Sequence, residues 1–304
     1  MATSVARTSN FQNDTRTRGI HMTIYQAWTE RPSVGRDRIF NVHNSDQYRE
    51  HQLTFGGIGI MDEKAEGADV DYTTPVEGYL QTFTHTVFAK GIRITAEQWG
   101  DDLYGIMEDS PAELGMAALA TEESTLAGHF NDGFGSSATT PDGQPIFDAA
   151  HVREDGVTFQ NELSTAASLS TTSLEQCLID FRDFRSGGGR RLSIKPKCLL
   201  IPPDLIFDAQ RILNSSQSPE DDTNAVQPIN DLGLDLVVWD YLSDTNAFFV
   251  MADKKDHNFH LYDRENFTSS DIVDFDSGDV KFKGLFRQSS GVSDPRGAYG
   301  SPGA

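Results

Sequence analysis

Two histidines near residue 260 have a spacing that would suit a metal ion on a helix. His257 and His260 are three positions apart, so on a helix both imidazoles would face one side and could hold zinc. Their neighbours Phe259, Leu261 and Tyr262 are typical of a strand instead, where this spacing directs the two side chains to opposite faces. We therefore predict that these histidines do not form a metal site.

Another histidine has acidic neighbours. His151 lies near Asp148 and Asp155 in the sequence, a combination that resembles part of a catalytic triad. No nucleophile motif such as G-x-S-x-G accompanies it, so a hydrogen-bonded loop histidine is the better interpretation. Carboxylates occur throughout this acidic chain, and the sequence neither selects nor excludes a glycosidase pair among them.

Two segments partly match known ligand-binding loops. Residues 274–279 (DFDSGD) begin like a calcium loop, but Leu285 occupies the twelfth position, where a glutamate should close the site. Residues 186–191 (SGGGRR) are the nearest match to a phosphate loop, but they follow a helix instead of opening one. We predict a solvated acidic turn and a helix stop, and hence no catalytic residue, no cofactor and no metal site. The protein is not expected to be an enzyme.

The 304 residues carry a formal net charge of −21 that is unevenly distributed. Residues 1–38 hold six arginines against three acidic residues, a net charge of +3 that leaves −24 for the remainder. So acidic a body is a poor general binder of nucleic acid, although the basic N-terminal segment could face it. The longest apolar runs fall far short of the roughly 20 residues that span a bilayer. The N-terminus lacks the apolar stretch of a secretory signal, so we expect the protein to stay where it is made, with no membrane partner.

The elements that position these residues are indicated by periodicity and capping signals. Ser110, Pro111 and Glu113 are an N-cap serine, a first-turn proline and a capping-box glutamate, and they predict a helix over residues 111–131, the longest in the protein. A second helix should begin near residue 172 or 173, bury Cys177 and end at the glycines of residues 187–189. Cys177 and Cys198 are predicted to be buried free thiols.

A strand, a proline corner and a helix follow one another after residue 195. The apolar run Cys198 to Ile201 stops at Pro202 and Pro203, and apolar residues then recur at helical spacing up to Leu213. Two β-rich runs, residues 236–239 and 248–251, flank turn-forming residues 243–246 and predict a hairpin. The last forty residues indicate short strands and then a tail.

Two segments are predicted to need the surface of a partner to pack against. Residues 1–50 show no convincing periodicity and predict an extended arm, whose removal up to residue 30 should leave the subunit folded. Two β-capable runs between residues 53 and 94 flank the acidic segment 62–75, which predicts a long two-stranded arm with an acidic tip. An isolated hairpin of this length is marginal in water, so it implies a partner.

The order of these parts resembles the Hong Kong 97-type fold of tailed-phage major capsid proteins, and its details look closest to Mu-like major head subunits. The resemblance covers about residues 50–300, and the order of the segments along the chain carries more weight than any single motif. The matching segments are residues 101–106 and 131–134 around the long helix, 142–147 with His151, 195–213, 237–242, 246–249 and 294–301. The sequence departs from the best-known version of this fold in two respects. It shows no long helical segment before the extended loop, and it shows no recognisable trio of crosslinking residues.

The resemblance implies an α+β fold with an N-terminal arm (1–50), an extended loop (51–91), a discontinuous peripheral domain (92–135 and 272–304) and an axial domain (136–271). It implies a major capsid protein that assembles with copies of itself, as pentamers and hexamers, into the icosahedral shell of a virion around packaged DNA, within the bacterial host cytoplasm. A separate scaffolding protein, a portal and a decoration protein are the further partners that it implies.

Candidate contacts between subunits lie on the arms and in the acidic loops. They comprise apolar anchors and charged rim residues: Phe11, Arg16, Arg18, Trp28, Phe55, Asp62, Glu63, Tyr79, Glu220, Asp221 and Asp222. Three alternatives remain open at this point. They are an encapsulin-like compartment subunit, an acidic cytosolic hydrolase, and a virion accessory or tail protein.

Overall fold

The computed structural model describes residues 8–74, 76–101, 110–215 and 228–304, with side chains from residue 18 onward except 76, 99 and 100. Five α-helices are described: α1 (Thr8–Thr29), α2 (Ala96–Gly100), α3 (Ala112–Asn131), α4 (Thr171–Phe181) and α5 (Ile206–Asn214). The strands are β1 (Asn41–Asn44), β2 (Arg49–Gly57), β3 (Val76–Thr84), β4 (Thr86–Ile94), β5 (His151–Val152), β6 (Thr158–Phe159), β7 (Pro196–Ile201), β8 (Asp235–Val238), β9 (Phe248–Ala252), β10 (Asn258–Val273), β11 (Val280–Asp294) and β12 (Ala298–Ser301). Short helical turns occur at Gly35–Ile39, Pro203–Leu205 and Asn230–Leu232.

Two four-stranded sheets share the core. The peripheral sheet has the order β1-β10-β11-β4, and the central sheet has the order β12-β9-β7-β8. One apolar cluster joins both sheets to the second half of α3, through residues such as Phe130, Trp239 and Phe259. A second cluster packs α4 and α5 on the other face of the central sheet. Because both faces of that sheet are covered, its strands are continuous apolar runs such as Cys198–Ile201.

The strand, proline corner and helix are confirmed. β7 ends at Ile201, a helical turn begins at Pro203 and α5 follows directly, burying Ala209, Ile212 and Leu213 against the sheet. The second helix is confirmed as α4, whose Ser170 and Ser173 form a reciprocal cap. Cys177 and Cys198 are free and buried, and burial raises the pKa of both thiols, that of Cys198 to about 12.

The predicted hairpin over residues 236–251 is wrong, although both of its strands exist. β8 and β9 do not pair with each other, because β7 lies between them in the sheet. β7 pairs in parallel with β8 and antiparallel with β9. The turn formers at residues 243–246 therefore belong to a connection that crosses over β7.

The spine helix, α3, is confirmed within one residue of its predicted bounds. Pro111 occupies the N-cap position without a side-chain cap hydrogen bond, so the expected serine cap is not the arrangement found. The apolar side of the helix buries Leu114, Leu126 and Phe130. At 20 residues it is shorter than α1, which has 22, so the expectation that it would be the longest helix is wrong.

The N-terminal segment is not the extended arm that the sequence predicts, because α1 is a helix that packs on the spine helix. Ile20 and Ile24 are buried in a cluster with Leu114, Phe267 and Phe282. A Cβ on Gly115 would lie only 2.3 Å from the carbonyl oxygen of Ile24, so the two helices touch backbone to backbone. This segment belongs to the core, and a helical segment does precede the extended loop.

The extended loop is confirmed as an antiparallel hairpin of β2 and β3. Its second strand is shorter than predicted, because the chain breaks at His85 and continues as β4 in the peripheral sheet. Residues 62–74, the acidic tip, are exposed and form no helix or strand.

The last residues form long strands and a buried strand, not short strands and a tail. β10 and β11 are 16 and 15 residues long and pair along their length, with register shifts between Asp263 and Thr268. β12 then returns to the central sheet beside β9. Position 272, the expected boundary between axial and peripheral domains, lies inside β10, and the division into domains stays a prediction.

Candidate functional site

The two histidines with metal-like spacing are buried within the chain. The imidazole Nδ1 of His260 lies 3.2 Å from Nε2 of His43, and His257 is buried immediately before the same strand. Burial lowers the pKa of both His257 and His260 to about 4, so both are neutral at pH 7. Within the described ranges no group of three or more His, Cys, Asp or Glu side chains could hold a metal ion.

His151 is a buried loop histidine, but its acidic partner is Asp142 and not Asp148 or Asp155. Its Nδ1 lies 2.8 Å from Oδ2 of Asp142, and its Nε2 lies 3.3 Å from the carbonyl oxygen of Ile146. Although burial alone would raise it, hydrogen bonds from His151 and Thr140 lower the pKa of Asp142 to about 2. The side chain of His151 is 0% exposed, so neither ring nitrogen can reach a substrate.

The two ligand-like segments are also satisfied internally. In the acidic turn, Oδ2 of Asp274 accepts from Nζ of Lys281 at 2.6 Å, and Asp279 accepts from the guanidinium of Arg93. The turn Ser186–Gly189 packs against the extended loop, where a Cβ on Gly188 would lie 2.4 Å from the amide nitrogen of Gly59. The arrangement holds a loop in place rather than a small ligand.

The extended loop carries the largest uncovered side chains among the candidate contacts. Phe55 is 69% exposed, and Asp62 and Glu63 on the tip are exposed. Tyr79 is half-buried, because its hydroxyl donates to the carbonyl oxygen of Val152 at 3.0 Å. The intersubunit role of these four residues remains a prediction.

The candidates on the N-terminal segment differ from one another. Trp28 packs within its own chain, stacked 5.2 Å from Phe267, whereas Arg18 is exposed. Phe11 and Arg16 belong to α1, but their side chains lie outside the described residues. Glu220, Asp221 and Asp222 also lie outside the described residues.

Sequence reasoning missed the exposed apolar side chains on the outer part of the loop and the unpaired edge of β4. Met61 is 91% exposed and Tyr72 is 90% exposed. Residues 68–74 alternate small or apolar side chains with Asp69 and Asp71, which is a strand pattern without a partner strand in the described chain. That alternation was the signal available in the sequence.

The complementary feature is β4, the edge of the peripheral sheet. It pairs with β11 through nine residues without a register shift, and no described strand covers its other side. A concave surface next to β4 is lined by small residues, by apolar residues such as Ile272, by Asp271, and by four cations that include Lys90 and Lys283. Both lysines are exposed, and neither has an ion-pair partner recorded among the described residues.

Comparison with known proteins decides the family. A family model described as "Phage capsid protein" matches residues 79–301, which include both sheets and the spine helix. The chain belongs to this phage capsid protein family. It is a major capsid protein, a structural component of the virion capsid.

Solved capsids show that this capsid protein has the Hong Kong 97-type fold. The capsid of cyanophage P-SCSP1u matches with a TM-score of 0.59 and 11% identity over 87% of this chain and 86% of that chain. The capsid of a native GTA particle matches with a TM-score of 0.59 and 12% identity over 88% of this chain and 89% of that chain. The capsid of bacteriophage JBD30, decorated with minor capsid protein trimers, matches with a TM-score of 0.56 and 16% identity over 70% of this chain and 92% of that chain. A sequence comparison with curated proteins gives no match.

None of the described helices of this capsid protein combines the length and the apolar character needed to cross a membrane.

Proposed function

We propose that copies of this capsid protein assemble, as pentamers and hexamers, into a closed icosahedral shell around the DNA genome of a tailed bacteriophage. Assembly takes place in the cytoplasm of the bacterial host, and the protein catalyses no reaction. The observation that carries this proposal is the outer part of the extended loop. Its apolar side chains Ile60, Met61 and Tyr72 are 75%, 91% and 90% exposed, and a group of exposed apolar side chains on one loop marks a site of contact with another molecule.

The partner that fits the loop is a second copy of the same chain. Residues 68–74 have strand-type alternation, and β4 offers an unpaired, unbulged strand edge of nine residues. An extended segment added to such an edge gains main-chain hydrogen bonds, while its side chains alternate between the two faces of the sheet.

The side chains near β4 support this pairing. Across the sheet, Lys283 pairs with Gly91 on one side and Ser270 on the other, so two small residues flank a cation on one face. The small residues leave room for a large side chain such as Tyr72. Lys90 pairs with Gly284 and Lys283 with Gly91, so the two lysines give this edge a positive charge on both faces, which complements the acidic segment that contains Asp69 and Asp71.

Charge reversal tests the proposed contact directly. The double variants D69K/D71K and K90E/K283E should each prevent shell formation, because each places like charges in apposition. Combining all four substitutions should restore shells, as judged by size-exclusion chromatography and negative-stain electron microscopy. K195E/K255E is the matched control, since it makes the same change of net charge at two exposed lysines away from the concave surface.

Two outcomes would count against the proposal. Normal shells from K90E/K283E would exclude the concave surface as the docking site. Only small soluble species from the unaltered protein, with and without a scaffold, would contradict shell assembly itself.

Further partners are part of the proposal. A separate scaffolding protein and a portal would direct closure, and a decoration protein could bind the outer surface. The N-terminal segment carries the basic charge of the chain, with arginines that include Arg7, Arg16 and Arg18, and this supports a non-specific contact with packaged DNA on the inner face.

A further inference from the structure

A cavity lies between the end of α1, the spine helix and one face of the peripheral sheet. Its volume is about 360 Å³, within the range of roughly 300–1,000 Å³ that is usual for small-molecule sites. α1 and the turn after it form one wall, and Leu119 and Glu122 of the spine helix form a second. Residues 263–267 of β10, with Phe286 and Gln288 of β11, form the third. The shell contact proposed above involves none of these residues.

One buried side chain of the cavity wall has no hydrogen-bond partner. Gln288 is only 2% exposed, and neither its Oε1 nor its Nε2 bonds any group in the described parts of the chain. Gln288 pairs across the ladder with Asp263, so both side chains lie on the face of the sheet that lines the cavity. A buried amide without a partner is destabilising, and a ligand with complementary groups would remove that cost.

The buried charges next to this amide do not balance. Glu122 and Asp263 are 1% and 8% exposed, and they share the single guanidinium of Arg36, so two negative charges face one positive charge. Arg36 gives one hydrogen bond to each of the four carboxylate oxygens. Each oxygen can accept two, so the cluster retains both negative charge and acceptor capacity for a further donor.

The mouth of the cavity has the same excess of negative charge. Asp37 and Glu265 are exposed there, together with one exposed cation, Arg31. Arg31 makes no ion pair with any carboxylate in the described parts of the chain. The mouth therefore attracts positive ligands more than negative ones.

Aromatic rings line the side of the cavity that faces α1. Tyr25 and Trp28 are three positions apart, so they lie on one side of the helix. Trp28 stacks on Phe267 with ring centres 5.2 Å apart, and its ring centre lies 5.9 Å from that of Phe286. The face of an aromatic ring is negative and attracts a cation. Aromatic faces and uncompensated carboxylates together match an organic cation better than an anion or a neutral ligand.

We propose that this cavity binds an organic cation of the guanidinium or alkylammonium class. The cation lies against Trp28 and Tyr25, and its N–H groups donate to Oε1 of Gln288 and to the remaining lone pairs of Asp263. A free small molecule and an arginine or lysine side chain of a second copy both offer this group. The site lies within one subunit, so it does not depend on the proposed shell contact.

Isothermal titration calorimetry of the unassembled full-length subunit with arginine amide tests the proposal. Citrulline amide is the matched probe, because it has nearly the same shape but carries a neutral ureido group in place of the guanidinium. At neutral pH and low ionic strength, arginine amide should bind about tenfold more tightly than citrulline amide, since only the guanidinium offers charge to the carboxylates and the rings.

Gln288→Met tests the buried amide separately. Methionine has nearly the same length and volume but only a weak acceptor, so the affinity for arginine amide should fall about tenfold. The free energy of unfolding without ligand should not fall, because the amide has no partner in the described chain. A glutamine that only supports the fold would give the opposite result, a loss of stability with unchanged affinity.

The charges at the mouth provide a test that leaves the core untouched. Glu265→Gln should weaken the binding of arginine amide about threefold, and Arg31→Gln should strengthen it about threefold, since the two changes shift the local charge in opposite directions. Glu97→Gln is the matched control, because Glu97 is exposed and does not line the cavity. Its affinity should equal that of the unaltered protein.

Shell assembly with saturating arginine amide identifies the source of the cation. Inhibition that citrulline amide does not cause would show that a side chain of a second copy occupies the cavity. Unchanged assembly would show that the cavity takes a free molecule, and either result supports the site. No binding of arginine amide, or equal affinity for the two probes, would overturn the proposal. Unchanged affinity in Gln288→Met would overturn it as well.

Discussion

At the scale of single residues, the guanidinium of Arg36 makes four hydrogen bonds to carboxylate oxygens. It donates to both carboxylate oxygens of Glu122 at 2.8 and 2.7 Å, and to both oxygens of Asp263 at 2.6 and 3.0 Å. Glu122 is 1% exposed and Asp263 is 8% exposed. Two buried carboxylates therefore share one cation, which connects the segment after α1 to the spine helix and to β10.

Removing this cation should destabilise the subunit strongly. Arg36→Met leaves two buried carboxylates without a counter-charge, and we expect a loss of about 3–5 kcal/mol in the free energy of unfolding at pH 7. Urea unfolding of the unassembled subunit measures it. The control is Arg211→Ala, which removes an exposed ion pair with Asp208 and should cost less than about 1 kcal/mol.

The pH dependence of the Arg36→Met defect gives a second check. Burial raises the pKa of Glu122, and Arg36 is the main group that opposes this rise. Without Arg36 the pKa should be higher still, so Glu122 takes up a proton as the pH falls and the buried charge disappears. The difference in stability between variant and unaltered protein should therefore shrink between pH 7 and 5.5. A difference that grows would contradict this electrostatic account.

At the scale of elements, the crossing of α1 over the spine helix depends on one glycine. Gly115 is the position where the backbones of the two helices meet, beside Ile24 and Trp28. Gly128 lies on the same helix, but a Cβ added there would meet no other atom within 4 Å. The two glycines therefore differ in what a side chain would contact.

Alanine substitutions should separate these two glycines. Gly115→Ala should force the helices apart and lower the free energy of unfolding by about 1–3 kcal/mol, as overpacking does. Gly128→Ala should be neutral or stabilise by up to about 1 kcal/mol, because alanine favours the helix. Thermal unfolding followed by circular dichroism measures both. Equal effects would show that the α1 crossing contributes nothing to stability.

Elements with strong local signals could be predicted, and those set by distant contacts could not. The proline corner before α5 and the spine helix are encoded in adjacent residues, such as Pro202 and Pro203. The pairing of β8 and β9 with β7 instead of with each other depends on contacts across some forty residues in sequence, which local turn signals do not specify. α1 was missed because its buried Ile20 and Ile24 stand among polar residues, and their partners lie elsewhere in the chain.

The candidate site could be predicted only where its residues carry a local signal in the sequence. The acidic tip and Phe55 are visible in the sequence as a polar segment and an apolar residue on a strand. Trp28 has the same appearance, but its stacking on Phe267 depends on a residue far away in sequence. The break at His85 could not be predicted, since nothing local indicates that one strand would divide there between two sheets.

At the scale of the whole molecule, two electrostatic effects oppose each other during assembly. Each subunit carries a net charge of −21, so copies repel one another. The proposed loop contact pairs Asp69 and Asp71 with Lys90 and Lys283, so it is attractive. Salt screens both over a Debye length of about 10 Å at 0.1 M, but the repulsion involves many more charges.

Moderate salt should therefore favour shell formation. We expect the yield of shells, followed by light scattering, to rise as sodium chloride increases from about 10 mM to about 150 mM, where the Debye length falls to about 8 Å. K195E/K255E is more negative than the unaltered protein and should require more salt for the same yield. A steady decline of yield with salt would instead show that the local attraction dominates.

The return of β12 to the central sheet after the β10–β11 ribbon has a practical consequence for engineering. The central sheet is built from two separated stretches, residues 196–252 and 298–301, and the ribbon between them belongs to the other sheet. A chimera that exchanges this sheet for that of a relative must therefore transplant both stretches together. If only residues 196–252 were exchanged, β9 of one parent would pair with β12 of the other. The fully buried Tyr299 of β12 would then pack against core residues of the other parent.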